Sequence, residues 1–181
     1  NHLIDESEAF QSFQDFLGKH PHCMLLGNGG SGKTFFLLNW LSHQCEIAQK
    51  DIDVPIPVFV PLHRLTTNTT LLILIRAALA RHGANFTTEQ VEALLSFGRI
   101  CVILDGLNEI NFRTVDDGAY NDILNFLDSY PDSYFVISSR YMPSITEWLL
   151  PKLEMGDWGD DYIKRYLTDR LGPNLGEQTY T

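Results

Sequence analysis

Four runs of consecutive apolar residues punctuate this chain: Cys23-Met24-Leu25-Leu26, Val58-Phe59-Val60, Ile100-Cys101-Val102-Ile103-Leu104 and Tyr134-Phe135-Val136-Ile137. Each is bounded by proline, glycine or polar residues and is too short for a helix, so each reads as a strand buried on both faces, as in a parallel sheet. Between them the spacing changes to that of helices. Residues 5–17 place Phe10, Phe13, Phe16 and Leu17 on one face after a possible capping box, Asp5-x-x-Glu8, and Pro21 ends the segment. The stretch Phe35-Phe36-Leu37-Leu38-Asn39-Trp40-Leu41 is apolar on nearly every side, as expected of a helix wedged between a sheet and other helices. Residues 69–82 read as an apolar helix, and Thr87-x-x-Gln90 is a second capping box ahead of Val91, Leu94 and Leu95. Residues 118–130 form an amphipathic helix through Tyr120, Ile123, Leu127 and Tyr130, closed by Pro131. Prolines 55, 57 and 61 put the second strand, 55–62, at a sheet edge or confine its pairing to the middle. Lys152-Leu153-Glu154-Met155 reads as a short last strand, and from Asp157 a stripe of Trp158, Tyr162, Tyr166 and Leu171 begins a separate helical lid. Strands alternating with helices predict an α/β sandwich.

The junction of the first strand with its helix carries Gly27-Asn28-Gly29-Gly30-Ser31-Gly32-Lys33-Thr34, the phosphate-binding P-loop pattern G-x-x-x-x-G-K-[ST] in its strand-to-helix context. Glycines there accept positive φ, so successive backbone N–H groups converge on one concavity that the helix dipole also faces. Lys33 supplies a point charge for the outer phosphates, and the Thr34 hydroxyl is a hard oxygen ligand suited to Mg2+. The third strand ends in Asp105, as a Walker B strand does, which places a carboxylate in the Mg2+ shell directly or through water. Glu109, four residues on, is the candidate base for a water attacking the γ-phosphate. The fourth strand ends in Ser138-Ser139-Arg140; Arg140 either reads the γ-phosphate beside the P-loop or is a plain surface residue. His63-Arg64, at the end of the second strand, faces phosphate or stands as a solvated pair.

Composition narrows the field. The chain has 181 residues, 13 basic and 23 acidic, a formal charge of −10. That length suits one core with a small appendage, and the charge disfavours a broad nucleic-acid or anionic-membrane surface. Cys23, Cys45 and Cys101 are odd in number and far apart, which points to free thiols of a reducing compartment, the cytoplasm by default. The most apolar run, Leu71-Leu72-Ile73-Leu74-Ile75, is far too short to span a bilayer, and no signal peptide is visible. The chain starts without methionine and stops in a polar tail, so it reads as a piece of a larger protein.

In this order, the P-loop, the Pro-Val-Phe-Val-Pro-Leu strand, Leu104-Asp105-Gly106-Leu107-Asn108-Glu109 and Ser138-Ser139-Arg140 resemble the NACHT class of STAND nucleotide switches, found in NOD-like receptors and bacterial antiphage proteins. The aspartate, small residue, hydrophobic residue and following acidic positions are the most specific part of the match. The resemblance implies a P-loop NTPase three-layer sandwich, a parallel five-stranded sheet of order 5-1-4-3-2. It implies a nucleotide-binding domain over residues 1–155 and the start of a helical lid over 156–181. It also implies ATP or ADP with Mg2+, slow ATP hydrolysis, and a switch that is closed with ADP and self-associates when ATP and a trigger arrive, for a defence or signalling effector. No guanine-reading Asn-Lys-x-Asp motif occurs, in keeping with ATP. Asn108 replaces the family's second aspartate, and because asparagine cannot accept a proton this departure bears on hydrolysis more than on binding. A small-molecule or nucleoside kinase and a DNA-handling ATPase of the AAA+ type share the same Walker elements and remain as alternatives.

Overall fold

The strand-forming runs assemble into one parallel sheet because each is apolar on both faces and must be covered twice. The computed structural model describes residues 6–66, 68–110, 118–141 and 149–156. In chain order these hold α1 (Glu6–Lys19), β1 (His22–Leu26), α2 (Lys33–Ala48), β2 (Ile56–Pro61), α3 (Leu71–Arg81), α4 (Thr88–Ser96), β3 (Ile100–Asp105), α5 (Gly118–Ser129), β4 (Tyr134–Ser139) and β5 (Lys152–Glu154). Short 3-10 turns, Leu62–Arg64 and Leu107–Glu109, follow β2 and β3. The strands lie in the order β2-β3-β4-β1-β5, all parallel, which is the expected 5-1-4-3-2 sheet seen from its other edge.

Alternate residues of each strand build two cores. Met24, Val58, Val60, Val102, Leu104 and Phe135 face one side, where Leu74, Ile75 and Ala78 of α3, Val91 and Leu95 of α4, and Ile123 and Leu127 of α5 cover them. Cys23, Leu25, Cys101, Ile103 and Val136 face the other, under Phe13 and Leu17 of α1 and Leu37 and Trp40 of α2. The Phe13 ring meets Trp40 edge-on at 5.1 Å, which locks α1 against α2. Cys23 and Cys101 are buried free thiols; burial pushes Cys23 up to about 12 and raises Cys101 as well. Cys45 is free and half-buried. No helix among the described residues is long and apolar enough to cross a membrane.

The edge position expected for the proline-bearing second strand is observed: among the described residues β2 pairs with β3 alone, and on its other side a missing N–H costs no ladder bond. Thr87 and Gln90 form the expected reciprocal capping box at α4, and Thr70 caps α3. Helix α2, read as wedged between the sheet and other helices, buries Leu37, Trp40 and Gln44 and leaves Leu38 44% exposed. Asp5 of the first capping box and the lid stretch 157–181 lie outside the described residues.

Candidate functional site

The segment after β1 cannot be built from ordinary residues. Gly30 and Gly32 have φ of 81° and 84°, in the left-handed region that glycine enters without penalty. A Cβ on Gly27 would stand 2.7 Å from Ser31 Oγ and 3.0 Å from the Met155 carbonyl oxygen, so the loop closes tightly only with glycine there. Gly32 then forms the N-cap of α2, in the left-handed region and with no side chain of its own to cap the helix. The Lys33 ammonium turns back along the loop and donates to Gly27 O at 2.5 Å, Asn28 O at 2.9 Å and Ser31 Oγ at 3.2 Å. Burial holds Lys33 below the ordinary lysine range, the nearby Arg140 adds to this, and Asp105 opposes it.

Parallel pairing of β3 with β4 brings the opposite wall. Leu104 pairs with Ile137, so the next residues, Asp105 and Ser138, leave adjacent strand ends side by side. Thr34 Oγ1 donates to Asp105 Oδ2 at 3.0 Å and lies 3.3 Å from Oδ1, joining the start of α2 to the end of β3. Ser138 Oγ donates to Asp105 Oδ1 at 2.5 Å and accepts the Gly106 N–H at 2.9 Å. Gly106, at φ 82°, turns the chain into the 3-10 segment that carries Asn108 and Glu109. Asn108 Oδ1 accepts the Arg140 N–H at 3.0 Å, tying this segment to the end of β4. The Glu109 carboxyl folds back over Gly106, 3.0 Å from where a Cβ would stand. The Arg140 guanidinium lies over Gly29, 3.6 Å from the corresponding point there.

These residues enclose a cleft of about 260 Å3 at the C-terminal edge of the sheet. Of the positions singled out by sequence, Gly29, Gly30, Gly32, Lys33 and Thr34 line one side, and Asp105, Glu109 and Arg140 the other. Gly27, Asn28 and Ser31 sit one layer back, where they hold the Lys33 ammonium. His63 and Arg64 are exposed on the 3-10 turn after β2 and do not line the cleft. Sequence reasoning took Ser138 only as part of a polar strand end; its signal was the hydroxyl at the position following the paired run, and its partner depends on register. A larger groove of about 600 Å3 lies among Phe10, Gln14, His43 and Val54, by the far end of α2, and contains none of the loop residues.

The donor set can be tested against a divalent cation. Among the described residues no group of three or more His, Cys, Asp or Glu side chains exists, so there is no all-protein cage. What converges is one hydroxyl and one carboxylate, Thr34 and Asp105. That is the sparse oxygen set of a Mg2+ site completed by water and phosphate, so these residues fit the metal.

No protein-family model matches the sequence, and neither does any curated protein. Solved structures do resemble it. A Walker-type ATPase of Pyrococcus abyssi superposes with a TM-score of 0.61 at 12% identity, over 92% of this chain and 57% of that one. The ORC2 protein of Aeropyrum pernix, solved as ADPNP and ADP complexes, gives 0.57 at 14% identity over 91% of this chain and 50% of its own. Drosophila ORC bound to DNA gives 0.57 at 14% identity over 93% and 49%. The likeness and the strand order show that the chain has the P-loop NTPase fold. The chain spans about half the length of these structures.

Proposed function

We propose that this chain binds ATP together with Mg2+ in the cleft, hydrolyses it slowly, and serves as the nucleotide module of a larger ATPase. The supporting observation is the pair of cations, Lys33 and Arg140, brought to one small cleft from the P-loop and the end of β4, where burial and then the Arg140 charge hold Lys33 below the ordinary lysine range, a cost that an anion lying between the two relieves. A chain of phosphates meets that requirement, and the positive dipole end of α2 adds to it. In this reading the backbone of Gly27 through Thr34 cradles the phosphates, and Lys33 leaves its carbonyl partners for the outer ones. Thr34 and Asp105 hold Mg2+, whose chemistry is to neutralise charge on the phosphates. Glu109 orients and deprotonates the attacking water, and Arg140 meets the γ-phosphate. Residues 156–181 opening a lid belong to the same reading.

The experiment is calorimetric titration of the purified chain with ATP and ADP, with and without Mg2+, alongside identification of any nucleotide released on denaturation. Binding of neither nucleotide overturns the reading. Arg140→Ala is expected to weaken ATP several-fold more than ADP, since only ATP offers the γ-phosphate and a charge-assisted contact contributes about 1.5–3 kcal/mol. Equal losses for both nucleotides remove the sensor role.

Two uses of such a module are open to test. The structural neighbours, among them an ORC assembly bound to DNA, favour an AAA+-type DNA-handling ATPase over the NACHT-type switch. The net charge of −10 limits a DNA contact to a local groove or to a part of the protein beyond this chain. The switch reading, with self-association gated by ATP, a trigger and an effector, rests on the motif Asp105-Gly106-Leu107-Asn108-Glu109 and on Ser138-Ser139-Arg140. Turnover stimulated by DNA supports the first; nucleotide-dependent self-association indifferent to DNA supports the second. Phosphate release without an added acceptor separates both from a small-molecule kinase.

A further inference from the structure

We propose that Ser138 is a positioning residue for Asp105, deciding which carboxylate oxygen is presented to Thr34 and to a divalent cation bound with nucleotide. The proposal rests on the nucleotide-site reading above. A serine hydroxyl has one proton. The backbone N–H of Gly106 points at Ser138 Oγ from 2.9 Å and occupies an acceptor position, so the single proton of Oγ is directed to Asp105 Oδ1 at 2.5 Å. The hydroxyl is thus no free rotor: both of its bonds run to consecutive residues, the side chain of one and the backbone of the next. Ser138 is 1% exposed; its bond from the Gly106 N–H is buried and its bond to Asp105 part-buried, at the wall of the cleft.

The consequence falls on Asp105. With Oδ1 engaged from the β4 side, Oδ2 is the oxygen nearer Thr34 Oγ1, at 3.0 Å against 3.3 Å. A carboxylate at a strand end can otherwise rotate about its side-chain bonds and offer either oxygen, or neither, to the loop. Pairing of β3 with β4 supplies the hydroxyl that stops this, and its second bond, accepted from the Gly106 N–H, holds the turn that leads to Asn108 and Glu109. Ser138 lines the cleft, but its hydrogen bonds run to Asp105 and Gly106, and in this reading it acts through Asp105.

The test compares the parent chain with Ser138→Ala, Ser138→Cys and Ser138→Thr. ATP affinity is measured by titration in chelator and across Mg2+ concentrations, and Mn2+ binding to the ATP complex by electron paramagnetic resonance. Partners that orient a metal ligand typically change metal affinity about 10–100-fold when removed. Ser138→Ala is expected to keep the parent's metal-free ATP affinity and to need about 10–100-fold more Mg2+ for the same gain. Ser138→Cys, which fills the same space with a poor donor, is expected to behave like alanine and serves if the alanine variant fails to fold. Ser138→Thr keeps the hydroxyl and is expected to restore the parent's metal dependence. A purely structural serine would lower the unfolding midpoint in the alanine and cysteine variants and leave Mg2+ dependence at the parental value; that result overturns the proposal while leaving the nucleotide site standing. A parent chain whose ATP binding ignores Mg2+ overturns the site reading itself, and this proposal with it.

Discussion

Glu109→Gln is expected to lower ATP hydrolysis by about 10²–10⁴-fold while ATP still binds, so that the ATP-bound form accumulates. Glutamine keeps the size of the side chain and its capacity to hydrogen-bond but cannot take a proton. The placement favours Glu109 over its neighbour. Glu109 is exposed at the rim of the cleft, folded over Gly106, whereas Asn108 has its carboxamide oxygen committed to the Arg140 N–H at 3.0 Å. Asn108 therefore serves the join between the β3 exit and the end of β4, and an aspartate there would meet the same N–H with one oxygen while leaving the second available. Asn108→Asp is accordingly the complementary variant, expected to turn over faster with little change in affinity. Single-turnover measurement of phosphate release decides the matter. Undiminished turnover in Glu109→Gln, with no gain in Asn108→Asp, means that neither position transfers the proton and that the cleft retains nucleotide without processing it.

Lys33→Ala is expected to weaken ATP binding tenfold or more, because a charge-assisted contact to phosphate contributes about 1.5–3 kcal/mol and each 1.4 kcal/mol is a factor of ten. The phosphates lose a cation; the bonds of the ammonium to Gly27 O and Asn28 O, which belong to the chain without nucleotide, are given up on binding in any case. ADP should be weakened as well, since the loop contacts the phosphates common to both nucleotides. Titration calorimetry with ATP and ADP reads both effects, and a thermal unfolding curve confirms that the variant is folded. Unchanged affinity for both nucleotides removes the assignment of this loop as the phosphate site.

Much of the architecture was legible because it depends on local chemistry. Short apolar runs between breakers, rich in β-prone residues, read as strands covered on both faces, and β1, β3 and β4 follow those runs closely. The capping box at Thr87 and Gln90 is read from four residues and forms as expected, since its bonds close within one turn. The order of the strands was different in kind. Periodicity says that strands are parallel and buried, not which ones are neighbours, and the order came from the motif resemblance before the pairing of β1 between β4 and β5 showed it. Helix α2 is apolar on nearly every side, yet Leu38 stays 44% exposed, because how much neighbouring surface reaches a helix is not encoded in that helix.

The sequence by itself supplied the residues of the candidate site: a glycine loop able to take positive φ, as Gly30 and Gly32 do in the structure, a lysine and a hydroxyl at the helix start, and a carboxylate closing a buried strand. These follow from residue type and adjacency, since a backbone turn and the helix behind it are made within a few residues. Only the tertiary structure decided which groups act on one another across it. Thr34 meets Asp105 from 71 residues away, Ser138 meets the same carboxylate from 33, and the Arg140 N–H meets Asn108 from 32. Those meetings depend on the register of β3 against β4 and on β4 lying beside β1, and a shift of one residue would turn Asp105 or Ser138 to the opposite face of the sheet. Register is settled by the burial of whole strand faces in the two cores, a property summed over the domain and written in no single motif.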